Sequence, residues 1–229
     1  MRWLIGYSRC PHTRAALEAH GHEVWTCDLL PSDHPHHLQC DVWDVLGDLW
    51  DAAILHPMCT YLTVSAAWAC NDPDFDRYPG VGFHQRVKPD TLTGAARREA
   101  RDAAIENFRR LLALPYPKAI ENPAPSLVSA HVRPPCQTIQ PYEFGDDASK
   151  RTGLWLDRLP KLRPTKRVPG RIVMTERGPV ERWSNQTDNG QNRLSPGAGR
   201  WLERSATYPG IAAAMGEQWG QPALQPALL

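Results

Sequence analysis

The chain has 229 residues, of which 41% are hydrophobic and 22% are charged, so it can bury a sizeable core. Its formal net charge of +1 excludes a global basic field, so any contact with nucleic acid has to be local. Six scattered cysteines argue against a disulfide scaffold, and no apolar run reaches the roughly 18 residues of a membrane span. The sequence therefore predicts a cytoplasmic protein without a membrane partner.

Apolar runs near the start of the chain predict strands that alternate with a helix. Residues 3–6 and 23–27 predict two strands, and residues 14–20 between them predict a helix that ends at Gly21. A loop with the sequence PSDHPHH follows the second strand. A weaker third strand is predicted over residues 39–45.

The strongest predicted elements lie in the next part of the chain. Residues 50–55 predict a strand, and a polar loop rich in Pro and Gly spans residues 71–90. Apolar residues at helical spacing predict a long helix over residues 95–114. Residues 118–120 predict a further strand, which breaks at Glu121. Because strands alternate with helices, we expect a parallel, doubly wound sheet.

The second half of the chain is less regular. Its predicted elements are a strand at 153–156, a basic proline-bearing stretch at 159–171, a hairpin within 172–185, a loop at 186–200 and a helix at 211–219. The sequence contains no repeat and no linker that would separate domains. We therefore expect one domain over residues 1–229, with an irregular basic insertion at about 157–200.

Two predicted strands end at groups that can do chemistry. Cys59 follows the strand at 50–55, and Glu121 leaves the strand at 118–120 shortly before Pro123. Ligands of parallel α/β proteins bind at the carboxyl edge of the sheet, where both groups belong. We expect loop dipoles or a nearby cation to lower the pKa of the Cys59 thiol. A lone cysteine or a lone glutamate in such a place is more often inert.

Taken together, the sequences Pro57-Met58-Cys59 and Glu121-Asn122 resemble the Pro-Cys and Glu-Asn motifs of the cytosine-5 methyltransferases. Residues 150–155, with the sequence KRTGLW, resemble the arginine-bearing strand of that family, and residues 207–212 resemble its C-terminal motif. The likeness spans most of the chain and is closer to short phage-type members than to full restriction-modification enzymes.

Three departures from the family pattern stand out. The glycine-rich first loop keeps only Gly6, and the Pro-Pro-Cys run has become Pro-Met-Cys. No long target-recognition region lies between Arg151 and Tyr208, which leaves little surface for reading a base sequence in duplex DNA.

The resemblance implies a Rossmann-like, S-adenosylmethionine-dependent methyltransferase fold with a mostly parallel sheet and helices on both faces. A carboxylate after the second strand, here Asp28, suits the two hydroxyls of the donor's ribose. The adenine of the donor is expected near Asp41 and Val42. The full set of residues that the resemblance assigns to S-adenosylmethionine is Gly6, Tyr7, Ser8, Asp28, Leu29, Asp41, Val42, Pro57 and Tyr208.

The resemblance also implies a covalent mechanism. The thiolate of Cys59 adds to carbon 6 of cytosine, and Glu121 acts as an acid at ring nitrogen 3. Arg151, with Lys150 as the second choice, holds the carbonyl oxygen of the base, and Asn122 supports the local loop. In a duplex the target base has to be flipped out first.

Three functions stay open at this point. They are methylation of cytosine in DNA with little sequence specificity, methylation of a free cytidine nucleotide, and binding of donor or nucleic acid without catalysis. The missing recognition region separates the first two only weakly. The joint presence of Cys59, Glu121 and Arg151 argues against the third.

Two further patterns carry less weight. The group His34, His36, His37 and Cys40 has a loose resemblance to a metal-ligand set, but a solvated loop is the favoured interpretation and no metal is predicted. The basic residues between 158 and 171 are as consistent with phosphate contacts as with a charged solvent face. The oligomeric state is left open.

Overall fold

A computed structural model describes residues 1–72, 81–82, 85–86, 91–194 and 204–221. The strands in this part of the chain are β1 (Arg2–Gly6), β2 (Glu23–Asp28), β3 (His37–Gln39), β4 (Ala52–Leu55), β5 (Val81–Gly82), β6 (Gln85–Arg86), β7 (Lys118–Pro123), β8 (Gln137–Ile139), β9 (Thr152–Asp157), β10 (Arg171–Thr175) and β11 (Gly178–Arg182). The α-helices described there are α1 (Pro11–Glu18), α2 (Gly94–Leu112), α3 (Val128–His131) and α4 (Pro209–Trp219).

Seven of these strands form one sheet in the order β3-β2-β1-β4-β7-β9-β8. The first five are mutually parallel, whereas β9 runs antiparallel to both of its neighbours. The order of the first four strands is that of a doubly wound nucleotide-binding sheet. The predicted α/β class with a mostly parallel sheet is therefore confirmed.

Helices cover both faces of this sheet because successive side chains of a strand point to opposite sides. In β1, Trp3 and Ile5 pack in one core cluster with residues of α1 and α4. Leu4, which lies between them, packs in a second cluster with residues of α2 and α3. Each of these large side chains is fully buried, which contributes about 1.5–3 kcal/mol per residue.

The close contact between α1 and α4 depends on a glycine. A Cβ atom on Gly216 would lie 2.6 Å from the carbonyl oxygen of Ala16, closer than any side chain can approach. The absence of a side chain at Gly216 thus lets α4 pack against α1. The end of α4 is held by Trp219, whose Nε1 donates to the Pro160 carbonyl.

The third strand differs from its prediction. It occupies His37–Gln39 rather than 39–45, and Val42–Asp44 form a 3-10 helix instead. The physical reason is Asp41, whose side chain accepts a hydrogen bond from the backbone N–H of Trp43 and so caps a turn. The strand predicted at 118–120 is longer than expected, because it continues through Glu121 to Pro123.

The basic insertion contains the predicted hairpin, which is formed by β10 and β11 with Gly178 at the turn. It is attached to the domain by Trp183, which stacks on Tyr142 at 3.9 Å and donates to the Val168 carbonyl. The loops predicted at 71–90 and 186–200 lie only partly within the described residues. Among the helices that the structure describes, none is both long and apolar enough to cross a membrane.

At the amino edge of the sheet, Lys118 is a fully buried cation. Its Nζ donates to Asp157 at 2.5 Å, to the Leu114 carbonyl at 2.7 Å and to the Tyr116 carbonyl at 3.3 Å. Burial raises the pKa of Asp157, but the hydrogen bond and charge of Lys118 outweigh it, so the pKa is lowered. The contact joins β7 to β9.

We therefore expect Lys118→Met to lower the free energy of unfolding by about 1–3 kcal/mol, because it leaves these carbonyl groups without a donor. The matched control is Arg158→Met, which removes a half-exposed partner of Asp157 and should cost less than about 1 kcal/mol. Urea denaturation at neutral pH measures both. Equal stability of Lys118→Met and wild type would contradict this role.

Candidate active site at the carboxyl edge of the sheet

The register of the parallel strands brings the candidate residues to one edge of the sheet. Gly6 pairs with Leu55, and Leu55 pairs with Ile120, so the residues that follow them leave the sheet side by side. Asp28 ends β2 opposite Gln39 of β3. As predicted, Asp28 at the end of β2, Asp41 after β3 and Cys59 after β4 all lie at the carboxyl edge of the sheet.

Glu121 is a buried carboxylate held between two basic groups. Its side chain is only 10% exposed, and Oε2 lies 2.9 Å from His56 Nδ1. On the other side, Oε1 lies 3.9 Å from Lys150 Nζ. Burial raises the pKa of Glu121, but the charges of His56 and Lys150 and the His56 hydrogen bond together lower it to about 2. The group is thus an anion at neutral pH, and it can act as an acid only if it receives a proton.

His56 was missed in the sequence, although it directly follows the strongest predicted strand. Its backbone N–H donates to the Gly6 carbonyl at 3.0 Å, which extends the β1–β4 ladder by one residue. Its side chain is 13% exposed, and Nε2 is buried without a hydrogen-bond partner among the described residues. The signal that could have found it is its position, the first residue beyond a buried parallel strand.

Asn122 ties β7 to the loop that carries the cysteine. It is buried, and its Nδ2 donates to the Pro57 carbonyl at 3.2 Å. Its Oδ1 is buried and has no partner in the part of the chain that the structure describes. The Asn122 side chain therefore fixes the loop after β4 relative to Glu121. Its Oδ1 atom stays available as a hydrogen-bond acceptor.

Cys59 lies at the start of a turn, where its carbonyl accepts from the backbone N–H groups of Leu62 and Thr63. The expectation that its surroundings lower the thiol pKa is wrong. Burial raises the pKa, and the charges of Lys150 and Arg204 oppose that increase without reversing it. The side chain is a thiol in the resting protein, and the two cations favour its conversion to thiolate.

The cation beside the Cys59–Glu121 pair is Lys150. Its side chain is 24% exposed, and Nζ also donates to the Ala206 carbonyl at 3.3 Å. The neighbouring Arg151 has an exposed side chain, and its carbonyl accepts from the Ala124 N–H. The predicted contact of Arg151 with a target base stays a prediction, whereas Lys150 already lies next to Glu121.

Three of the residues that the resemblance assigns to the methyl donor, Gly6, Tyr7 and Ser8, follow β1 at the same edge. Gly6 has no room for a side chain, because a Cβ would lie 2.7 Å from Leu55 and 2.8 Å from Val42. Tyr7 follows with a φ of 59°, a left-handed conformation that turns the chain sharply out of β1. Ser8 continues the turn, with its Oγ accepting from the Cys10 N–H. One glycine and one tight turn thus stand where the resemblance to the cytosine-5 methyltransferases would place a glycine-rich loop.

The two carboxylates at this edge are oriented by the backbone. Asp28 accepts from the N–H of Leu30 through Oδ1, and Asp41 accepts from Trp43 in the same way. The second oxygen of each has no hydrogen bond among the described residues. A fixed carboxylate with one unused oxygen at the end of β2 fits the hydroxyls of a ribose. The residues at the end of β2 therefore offer an acceptor of the kind that a ribose needs.

The remaining residues assigned to the donor are more dispersed. Leu29 is 70% exposed, and Pro57 is buried with its carbonyl occupied by Asn122. Tyr208 precedes α4, and its hydroxyl accepts from Asn185 at 3.4 Å. The structure thus brings Pro57 to the Cys59 side of the edge and connects Tyr208 to the basic insertion.

A polar contact that the sequence did not reveal links the donor side to α2. Tyr7 donates to Asn107 Oδ1 at 3.4 Å, and Trp43 Nε1 donates to the same atom at 2.8 Å. Arg110 of the same helix lies 3.7 Å above the Trp43 ring. Asn107 is a single asparagine in a polar helix, so no hydrophobic periodicity marks it in the sequence. Only the structure shows that its side chain joins the loops after β1 and β3.

No protein-family model matches the chain, and no curated protein matches its sequence. Among the described residues, no three His, Cys, Asp or Glu side chains are placed to share a metal ion. The functional interpretation therefore depends on the arrangement of His56, Cys59, Glu121 and Lys150 at the sheet edge.

The raised pKa of Cys59 predicts how fast iodoacetamide alkylates it. Between about pH 7 and pH 8.5 the rate should climb roughly tenfold per pH unit without levelling off, because only the thiolate reacts. Lys150→Ala should slow the reaction further by removing a nearby cation. Peptide mass spectrometry separates Cys59 from the other cysteines, with Cys59→Ser as the blank. A plateau below about pH 8 would contradict this environment.

Proposed function

We propose that the protein methylates carbon 5 of cytosine, with S-adenosylmethionine as the methyl donor and Cys59 as a covalent nucleophile. The observation that carries the proposal is the group formed by Cys59, the ionised Glu121 and Lys150 at the carboxyl edge of the sheet. A thiol, a carboxylate and a cation are the side chains that addition to a pyrimidine ring requires, and buried titratable groups with opposite pKa shifts are typical of catalytic sites.

The fold supports the donor part of the proposal. The β3-β2-β1-β4 order and the position of Asp28 at the end of β2 are those of a nucleotide-binding sheet. We propose that the sheet is that of an S-adenosylmethionine-dependent methyltransferase, with Asp28 on the ribose and Asp41 and Val42 near the adenine. S-adenosylmethionine, when bound, supplies an electrophilic methyl group.

The role of Cys59 follows from the chemistry of cytosine. Carbon 5 is a poor nucleophile in the aromatic ring. When a thiolate adds to carbon 6, the electrons of the C5–C6 double bond shift toward carbon 4, and those of the N3–C4 bond shift to nitrogen 3. Carbon 5 then belongs to an enamine and can attack an electrophile. Lys150 and Arg204 assist because their charges favour the thiolate of Cys59.

The roles of the neighbouring side chains follow from their positions. Glu121 faces the charge that develops at nitrogen 3, provided that it carries a proton at that moment. Lys150 is proposed to hold the carbonyl oxygen of the base, because its ammonium group already lies near both Glu121 and Cys59. Asn122 keeps the loop of Cys59 in place through Pro57. Arg151 is the alternative contact for the base.

The distribution of charge favours DNA over a free cytidine nucleotide. Residues 158–194 contain nine Lys or Arg and three Asp or Glu, a net charge of +6, although the whole chain carries only +1. On the hairpin in this segment, Ile172 and Met174 are 64% and 74% exposed. Concentrated positive charge next to exposed apolar side chains suits a phosphate backbone and unstacked bases. A mononucleotide needs neither.

The test is transfer of a labelled methyl group to duplex DNA, single-stranded DNA and cytidine nucleotides, side by side. We expect label in DNA, no transfer by Cys59→Ser, and a rate about 100- to 10,000-fold lower for Glu121→Gln. With 5-fluorocytosine in the DNA, an adduct should accumulate on Cys59, because fluorine prevents loss of a proton from carbon 5. An active enzyme without an adduct, or with an adduct on Cys70, would contradict the mechanism.

A paired substitution distinguishes the two basic candidates. Lys150→Ala should lower the rate of methyl transfer by about 100-fold or more while donor affinity, measured by calorimetry, stays close to wild type. Arg151→Ala should have the smaller effect, because its side chain is exposed. The reverse order of effects would assign the carbonyl contact to Arg151. A loss confined to donor affinity would remove Lys150 from the base site.

A further inference from the structure

The buried pair of His56 and Glu121 is not explained by the mechanism above. The two side chains come from neighbouring strands β4 and β7, are 13% and 10% exposed, and meet at 2.9 Å. Mechanisms that use Glu121 alone need it to be an acid, but the site holds it as an anion. The neighbouring side chain placed to supply a proton to Glu121 is His56, at 2.9 Å.

The hydrogen bonding of His56 differs from that of a structural histidine in the same protein. His37 has a partner at each ring nitrogen, with Thr26 Oγ1 at 2.9 Å and the Leu30 carbonyl at 2.9 Å. His56 has an ion-pair contact of 2.9 Å from Nδ1 to Glu121 Oε2, and its Nε2 is buried without a hydrogen-bond partner among the described residues. A buried ring nitrogen without a partner costs free energy, so packing alone gives no reason for a histidine here.

We propose that His56 is a positioning residue which shares one proton with Glu121 and passes it through that carboxylate to nitrogen 3 of the target cytosine. This inference rests on the proposed function and names the source of the proton. The two heavy atoms involved, Nδ1 of the imidazole and Oε2 of the carboxylate, lie 2.9 Å apart, which is close enough for a proton to pass between them.

The transfer balances without another reactant. When the sulfur of Cys59 bonds to carbon 6, nitrogen 3 gains an electron pair and accepts the proton from the carboxyl group. The proton on Nδ1 of His56 moves to Glu121 in the same event, so the imidazole becomes neutral and the carboxylate is restored. Once carbon 5 carries the methyl group, it loses its own proton to bulk water and the C6–S bond breaks, which returns Cys59 as a thiolate. Nitrogen 3 then releases its proton and the His56–Glu121 pair recovers it.

Other titratable or charged side chains near the His56–Glu121 pair influence this proton transfer. Lys150 faces Glu121 from the chain before β9, Cys59 faces it from the loop after β4, and Arg204 acts on Cys59 from the segment before α4. Lys150 stabilises the carboxylate and so opposes its protonation. The step therefore needs a donor that is in contact with the carboxylate, which only His56 provides among the described residues.

The inference predicts the pH dependence of methyl transfer. The rate should rise with pH as Cys59 loses its proton and fall again once the His56–Glu121 pair loses its own, which gives a bell-shaped profile. His56→Gln keeps an N–H group that can point at Glu121 but cannot carry the proton. This variant should lose the descending limb and about 100-fold or more in kcat, with donor and DNA affinities close to wild type. The matched control is the exposed His20→Gln.

A second measurement needs no turnover. In protein labelled with 15N at histidine, the ring signals that disappear in His56→Gln should also shift in Glu121→Gln, because the two groups share a proton. Failure of wild type to transfer any methyl group would overturn the proposed function, whatever these signals do. An active wild type whose rate keeps rising to high pH, or a His56→Gln enzyme with the wild-type rate and profile, would overturn the role of His56 alone. Should His56→Gln not fold, the wild-type profile and Glu121→Gln still decide.

Discussion

The physical constraint on which the site depends is the burial of an ionised carboxylate. A charge that is almost completely removed from water is tolerated only when basic groups and hydrogen bonds compensate for the lost solvation. For Glu121 those groups are His56 and Lys150. One follows β4 and the other precedes β9, so both reach the carboxylate only because β7 lies between these strands. The strand order therefore makes this charge pairing possible.

The surroundings of the site shift the pKa values of Glu121 and Cys59 in opposite directions. Glu121 has its pKa lowered to about 2 because adjacent cations outweigh burial, whereas burial raises the pKa of Cys59 despite two cations. Distance explains the difference, since Glu121 is in direct contact with His56 while no basic group hydrogen-bonds to Cys59 among the described residues. At neutral pH the resting site thus combines a thiol with a carboxylate. In the proposed mechanism, bond formation at carbon 6 requires the thiol to lose a proton, and nitrogen 3 requires a proton from the direction of the carboxylate.

Much of this arrangement was predictable from the sequence, and the failures have specific causes. The apolar run before His56 and the run before Glu121 predicted both strand ends, because buried parallel strands have a clear signal. The position of Lys150 rather than Arg151 beside Glu121 was not predictable, since it depends on which of two adjacent side chains turns inward where β9 begins. The third strand was misplaced because an aspartate cap competes locally with strand pairing. The direction of the Cys59 pKa shift depends on burial by distant parts of the chain, which no local pattern contains.

Charge is segregated along the chain, and this segregation supports the proposed contact with DNA. Residues outside 158–194 carry a net charge of −5, and those within carry +6. For the proposed DNA substrate, such a distribution means repulsion by most of the protein and attraction by one segment. That segment leaves the sheet after β9, which begins beside Lys150. Within it, Asn185 is hydrogen-bonded to Ser149 next to Lys150 and to Tyr208, which precedes α4. These contacts connect the basic segment to the edge that holds Cys59 and Glu121, so the proposed DNA strand would be held near the thiol.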